Sequence, residues 1–316
     1  MATSTADQAQ EGARREPGPR PRRATGATRS ESRLALYLIA PAALLMLAVV
    51  GYPIVYAIYL SLFRDRRFAA APFYGLGNYI DVLSDGRWWS DVGITTFFAV
   101  STLIFEIGIG LGMAMIMHRA FRGRGVVRAA VLVPWAIPTA VTALLWLWMY
   151  QPDGIVNAAL GSNTVWLGST WPSRWAIIIA DVWKTAPFVA LLLLAGLQII
   201  PDELYEAAKV DGATAMQRFR RVTLPLLKGA LLVAVLFRML DVLRIFDLPY
   251  LLTRGANGTE TLSILTYQES IISLRSHRGS AMSTLTFIFI MLAAFLVIRV
   301  FGLKVVESAG AGQEVR

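Results

Sequence analysis

The sequence predicts an all-α membrane protein of six transmembrane helices with both termini on the cytoplasmic side, and three observations carry that reading. Of the 316 residues, 56% are hydrophobic and only 16% charged, with a mean hydropathy of +0.55; a soluble domain averages about half apolar and about a quarter charged. Six apolar stretches are each long enough to cross about 30 Å of hydrocarbon, which takes about 20 helical residues. The 30 Lys and Arg residues also fall unevenly on the loops those stretches leave, as orientation in a membrane requires.

Residues 1–33 include "EGARREPGPRPRRATGATRSES", a run of Arg, Pro, Gly and Ser that buries too little apolar surface to fold. It reads as a disordered basic cytoplasmic tail. The apolar run behind it, 34–63, is about twice the length of a secretory h-region and continues through Tyr52, Pro53 and Tyr56, so it is expected to remain as the first span. The other five are expected at 93–117, 127–150, 175–199, 229–252 and 280–303, inside one six-span membrane domain of 34–303, and residues 304–316 are expected to form a cytoplasmic C-terminal tail. With the N-terminus inside, 19 basic residues face the cytoplasm. Eight face outward, at Arg64, Arg66, Arg67, Arg87, Arg174, Arg254, Arg275 and Arg278. The first four share their loop with Asp65, Asp81, Asp85 and Asp91.

Several classes of chemistry are excluded by composition. Cysteine is absent and histidine is limited to His118 and His277, which removes thiolate chemistry and most metal sites and triads; no metal ligands and no catalytic residues are assigned. The net charge of +9 is read as membrane orientation and affinity for anionic lipid, not as nucleic-acid binding. No glycine is followed by lysine, so there is no phosphate-binding loop of the Walker type. Trp88, Trp89, Trp166, Trp171 and Trp175, with Trp146, Trp148 and Tyr150, sit near span ends and are expected at the lipid interface.

The loop between spans four and five, 200–225, is polar and should fold. Pro201 suits the start of a helix and Asp202 and Glu203 suit its first turn, so a helix is expected over 201–210. Gly212 permits a turn, a second helix fits Ala213 to Val222, and Pro225 marks entry to span five. Ala207, Ala208, Ala213 and Ala215 make the surface thin, while Tyr205 and Phe219 are large knobs with no evident core. Such a surface fits a groove on a partner. From composition alone, a basic amphipathic loop lying on lipid fits equally well.

Charges within the spans mark the other candidate site, because a charged side chain at mid-bilayer costs about 2.5 to 3.5 kcal/mol on insertion scales. Arg238, Asp241, Arg244 and Asp247 recur every three residues with alternating sign. Neighbours in that row can pair, and the row crosses about half the helix surface, so not all four are expected to face one cavity. Asp181 and Lys184 stand at the same spacing before Pro187. Glu106 is alone in span two and is expected to be buried against another span. These charges fit two readings: internal ion pairs, or a polar path whose carboxylates and cations meet the polar groups of a solute.

The order of residues resembles a family signature. "EAAKVDGATAMQRFRRVTLPLL" matches the loop of bacterial ABC importer permeases at Glu206, Ala207, Ala208, Asp211, Gly212, Ala213, Phe219, Leu224 and Pro225. "LVPWAIP", "DVWKTAPF", "GLQIIPDELYEAAKVDGA" and "LLTRGANGTETL" are similar to carbohydrate permeases of the maltose and glycerol-3-phosphate family, most of all to the first permease of an actinobacterial-type trehalose importer. The resemblance implies a type I ABC importer permease fold in the bacterial inner membrane. It implies as partners a second permease, two ATP-binding subunits that hold ATP and magnesium, and an extracytoplasmic solute-binding lipoprotein. Glu206, Ala207, Ala208, Asp211, Gly212, Ala213 and Phe219 would dock the loop into an ATPase cleft. Trp135, Thr139, Asp181, Lys184, Thr185, Phe188, Arg238, Val242 and Ile245 would line the solute site, and chemistry alone adds Asp241 and Arg244. The implied cargo is trehalose first, maltose or maltodextrin next and glycerol-3-phosphate third, since Lys184, Arg238 and Arg244 balance Asp181, Asp241 and Asp247 and leave no basic excess for a phosphate. Two alternatives stay open on the residues alone. One is an ion-coupled secondary transporter using the buried Asp and Arg residues, and the other is an enzyme on lipid-linked sugar with Asp241 or Asp247 as base.

Overall fold

A computed structural model describes residues 29–66, 70–119 and 122–302. Arg67, residues 303–316 and most of the expected N-terminal tail lie outside the described residues; the backbone is already helical from Arg29. The chain divides into two units, Met1–Val55 and Tyr56–Arg316. In the first, helix runs to Met46 and passes through a π-helical turn, Leu47–Gly51. The Tyr52 N–H reaches back five residues to Leu47 O, the wider bond of a π-turn, next to Pro53, which has no N–H to donate. Helix α1, Leu36–Ser61, is long and apolar enough to cross a membrane, and its side chains from Leu36 to Val50 are almost all exposed.

The second unit is held at its start by side chains that cap loose backbone. Asn78 Nδ2 donates to the carbonyls of Ser61 (2.8 Å) and Phe63 (2.6 Å), and the Ser61 and Tyr79 hydroxyls lie 2.6 Å apart. Helix α2, Gly77–Leu83, leads to α3, Gly86–His118, whose first turn is capped by Asp85 accepting from the Arg87 N–H at 2.9 Å. Helices α4, Arg124–Ala136, and α5, Thr139–Met149, follow. After the short α6, Ile155–Leu160, comes α7, Thr170–Gln198, the most deeply buried of the long helices. Close contact of α3 with α7 depends on Gly110, where an added Cβ would lie 2.7 Å from Val189 Cγ1. The remaining helices are α8, Asp202–Val210; α9, Ala215–Leu226; α10, Lys228–Val242; α11, Asp247–Thr253; α12, Leu262–Tyr267; and α13, Ser276–Val300. Apart from one isolated bridge between Phe63 and Phe73, no strand occurs among the described residues.

Four helices, α1, α3, α7 and α13, pass as spans by length and apolarity, and two bent pairs raise the number to as many as six. The stretch 127–150, expected as one span, is α4 and α5 meeting at 92°. Pro138 forces the residue before it out of helical space, and Ile137 is extended at φ −72°, ψ 132°. The stretch 229–252 is likewise not one helix. Helices α9 and α10 meet at 66°, and α10 ends at Val242, where the last turn tightens to i→i−3 bonds from Arg244 to Asp241 (3.1 Å) and from Ile245 to Val242 (3.0 Å). The Thr261 hydroxyl satisfies the Ile245 carbonyl at 3.0 Å.

Two apolar clusters flank a charged level. Phe98, Ile178 and Val242 belong to one, Met117, Leu193 and Ala234 to the other, and between them along α3, α7 and α10 stand Glu106, Thr185 and Arg238. Trp88, Trp146 and Tyr150 are buried core residues, not interfacial ones; the Tyr150 hydroxyl donates to Ala176 O at 2.8 Å, and that satisfied polar tip lets the ring sit inside.

Candidate functional site

Arg238 projects from α10 into the charged level between α3 and α7, with 3% of its side chain exposed. Glu106 of α3 accepts two parallel bonds from it, Nε to Oε2 at 2.6 Å and Nη2 to Oε1 at 2.5 Å. Such a fork-to-carboxylate pair is the strongest arrangement a guanidinium makes. Nη2 also reaches Asp181 Oδ2 at 3.1 Å, and Nη1 binds the Asp241 carboxylate one turn on. The Thr185 hydroxyl lies 2.5 Å from Glu106 Oε1 and 2.6 Å from the Asp181 carbonyl. One guanidinium thus ties three helices together. It is more than a pair: with Glu106 included, four acids (Glu106, Asp181, Asp241, Asp247) meet three cations (Lys184, Arg238, Arg244), so the balance read from the sequence omitted one carboxylate.

Asp181 and Lys184 do not pair with each other. Lys184 Nζ turns to the bend between α4 and α5 and donates to the carbonyls of Ile137 (2.6 Å) and Trp135 (3.4 Å), groups that the end of α4 leaves without helical partners. The same bend lays the Trp135 ring on Phe188, with centroids 5.5 Å apart and planes 17° from parallel.

Around this network lie two cavities that share Thr185, Arg238, Asp241 and Arg244. The larger, about 390 Å³, is also lined by Trp135, Phe188, Phe237 and Leu240. The smaller, about 140 Å³, is lined further by Thr139, Asp181, Lys184, Val242, Ile245, Phe246, Asp247 and Leu248. All eleven residues singled out for a solute site therefore stand on one or other wall. The reading that Arg238, Asp241, Arg244 and Asp247 could not share a cavity is corrected: the break after Val242 re-aims the chain, and all four line the smaller one. Sequence reasoning missed Phe237, Leu240, Phe246 and Leu248, apolar residues with no distinguishing spacing. It left Glu106 without a role, and only its isolation in an apolar helix marked it.

The polar segment after α7 forms a second candidate surface. Pro201 precedes α8, Asp202 and Glu203 occupy its first turn and Lys209 its last. Gly212 takes φ +75°, and the N–H groups of Gly212 and Ala213 return to the Lys209 and Ala208 carbonyls at 3.0 and 2.9 Å, a closure that favours glycine because it carries no Cβ. Thr214 then opens α9 with a capping box: its hydroxyl accepts from the Gln217 N–H at 3.3 Å, and Gln217 Oε1 accepts from the Thr214 N–H at 2.7 Å. Glu206, Ala207, Asp211 and Gly212 are exposed, while Ala208, Ala213 and Phe219 are half-buried. Val210 is 88% exposed beside them. Tyr205 and Phe219 are not free knobs. Tyr205 packs on the cluster around Met117 and Leu197 and sits 3.1 Å from the Thr223 hydroxyl, and both rings line a cavity of about 390 Å³ with His118 and Arg119.

Comparisons with known proteins agree with this architecture. Residues 106–307 match the family model of the binding-protein-dependent transport system inner membrane component. The chain is 44% identical over 283 residues, 88% of its length and 92% of the relative's, to the trehalose transport system permease protein SugA of Mycobacterium tuberculosis. It is 42% identical to the trehalose/maltose transport system permease protein MalF of Thermococcus litoralis, covering 85% of this chain and 94% of that one. Among solved structures, a bacterial ABC transporter involved in the import of the acidic polysaccharide alginate superposes with a TM-score of 0.75 at 20% identity, over 86% of this chain and 96% of that one, a likeness of fold. With that match over most of the second unit, and with relatives of this identity along nearly the whole chain, the protein belongs to the family of binding-protein-dependent inner-membrane transport components, the permeases of ABC transporters.

Proposed function

We propose that this chain is one membrane subunit of an ATP-driven sugar importer, forming with a second permease the path for a disaccharide, trehalose first and maltose or maltodextrin next. The observation that carries the reading is the pocket itself: one buried guanidinium, carboxylates and hydroxyls set beside the stacked rings of Trp135 and Phe188. Sugar hydroxyls donate and accept at such a rim while ring faces cover C–H surface. An excess of carboxylate over cation disfavours a phosphate ester. The relatives whose names carry trehalose support the same cargo.

In this reading six spans cross a bacterial inner membrane, each bent pair counting as one, with both termini in the cytoplasm. The 202–226 segment then docks into a cleft of one of two ATP-hydrolysing partners as the resemblance implies, Glu206, Ala207, Asp211 and Gly212 presenting the exposed face. The chain itself binds no nucleotide, and an external binding protein delivers the solute. ATP binding closes the partner subunits and turns the cavity outward, and hydrolysis resets it; the coupling is the difference in affinity of each ligand for the two states. The ion-coupled alternative is not favoured, because membership of this family accounts for the same charges without it.

The test is uptake of labelled trehalose and maltose by the assembled complex in proteoliposomes. ATP-dependent uptake that requires the binding protein is expected. Uptake by this chain alone in ion-loaded vesicles, indifferent to ATP, would overturn the reading.

A further inference from the structure

Glu106 lines neither cavity and is fully buried, yet it decides how Arg238 is presented. A guanidinium has five N–H donors in a rigid plane. Three of them, on Nε and Nη2, are taken by Glu106 and Asp181 on the inner side. Of the two on Nη1, one meets Asp241, whose side chain is 64% exposed, and the other has no partner among the described residues. Arg238 is thus held by one edge and offers the other to the cavities it lines.

We propose that Glu106 is a positioning residue of the solute pocket: by fixing the Nε–Nη2 edge of Arg238, it directs Nη1 to a hydroxyl of the transported sugar, which replaces the exposed Asp241 carboxylate there. The proposal rests on the sugar-importer reading above. Rotating the fork by one nitrogen would move that donor by more than a hydrogen bond tolerates, so the carboxylate sets direction as well as charge. Thr185 supports it from α7 through its 2.5 Å contact with Oε1.

The experiment uses the whole importer, reconstituted with its partners, and labelled trehalose as probe. Binding of trehalose to the complex without its binding protein, uptake against the concentration of loaded binding protein, and basal ATP hydrolysis are measured for Glu106→Gln, Glu106→Asp and the paired Glu106→Leu/Arg238→Met. The expected result is at least a tenfold loss of trehalose binding and uptake in Glu106→Gln with basal hydrolysis kept, partial rescue in Glu106→Asp, and no rescue in the apolar pair. If the apolar pair assembles and transports like the wild type, Glu106 and Arg238 only hold helices together and the proposal fails. Should Glu106→Gln not assemble, Glu106→Asp carries the test, since it keeps the buried charge while drawing the carboxylate back from Nε and Nη2; trehalose binding equal to the wild type there also overturns the proposal. Absence of ATP-driven trehalose uptake in the wild-type complex would instead remove the importer reading, before any variant is compared.

Discussion

Two groups of charges in this chain are built from the same residue types under opposite conditions. Around Arg238, three carboxylates converge on one guanidinium whose side chain is 3% exposed. In the segment from α8 to α9, Glu206, Asp211, Arg220 and Arg221 are exposed and make no ion pair among the described residues. Inside, each charge is tolerable only because another neutralises it, so pairing is fixed by desolvation. Outside, water satisfies each charge separately and leaves it available to a partner. The pocket's charges are therefore bound up with stability, whereas those of the loop are nearly independent of it.

Arg238→Ala should break that contrast most severely. It leaves Glu106 and Asp181 buried without a cation, and removing one partner from a buried pair destabilises by about 3 to 5 kcal/mol. Thermal unfolding of the purified complex is expected to fall accordingly, with uptake abolished. Lys184→Met comes next: the half-buried Ile137 carbonyl at the 92° bend loses its donor, at a cost of about 0.5 to 1.5 kcal/mol, the net worth of a typical hydrogen bond. A lower midpoint of unfolding and reduced uptake are expected, because the Trp135 face of the cavity depends on the bend. Thr214→Ala removes one half of the capping box of α9 and should cost about 1 kcal/mol, read as faster proteolysis of the loop with the membrane helices intact.

Much of this contrast could be read in the sequence, and the remainder has a physical reason. Periodicity and length were enough for α3, α7 and α13, because a long apolar helix needs no information beyond its own residues. The turn at Gly212 and the helix from Asp202 were legible for the same local reason. Partners were not: Arg238 and Glu106 are 132 residues apart, and spacing favoured Arg238 with Asp241 and Asp181 with Lys184. The first of these pairs exists, while the second yields to the Arg238 fork on one side and to backbone carbonyls on the other. Pro138 was a visible signal for the broken span. The break after Val242 had none, and it is this break that lets Asp247 reach the same cavity as Arg238.

The smallest effect on folding and the clearest separation of the two regions should come from Glu206→Lys. The side chain is exposed on α8 and makes no ion pair among the described residues, and surface changes of this kind usually shift stability by no more than about 0.5 kcal/mol. Its position argues for a functional cost all the same. Lys four residues C-terminal to Asp202 keeps helical pairing available, so the helix should persist and present a cation where the proposed docking calls for a carboxylate. Expected together are an unchanged unfolding midpoint, weaker association with the ATP-hydrolysing subunits in pull-down, and loss of coupled uptake. If uptake survives, the exposed face of α8 is not the docking face. If the midpoint falls by as much as for Lys184→Met, the loop's charges are structural after all, and the distinction between the two regions does not hold.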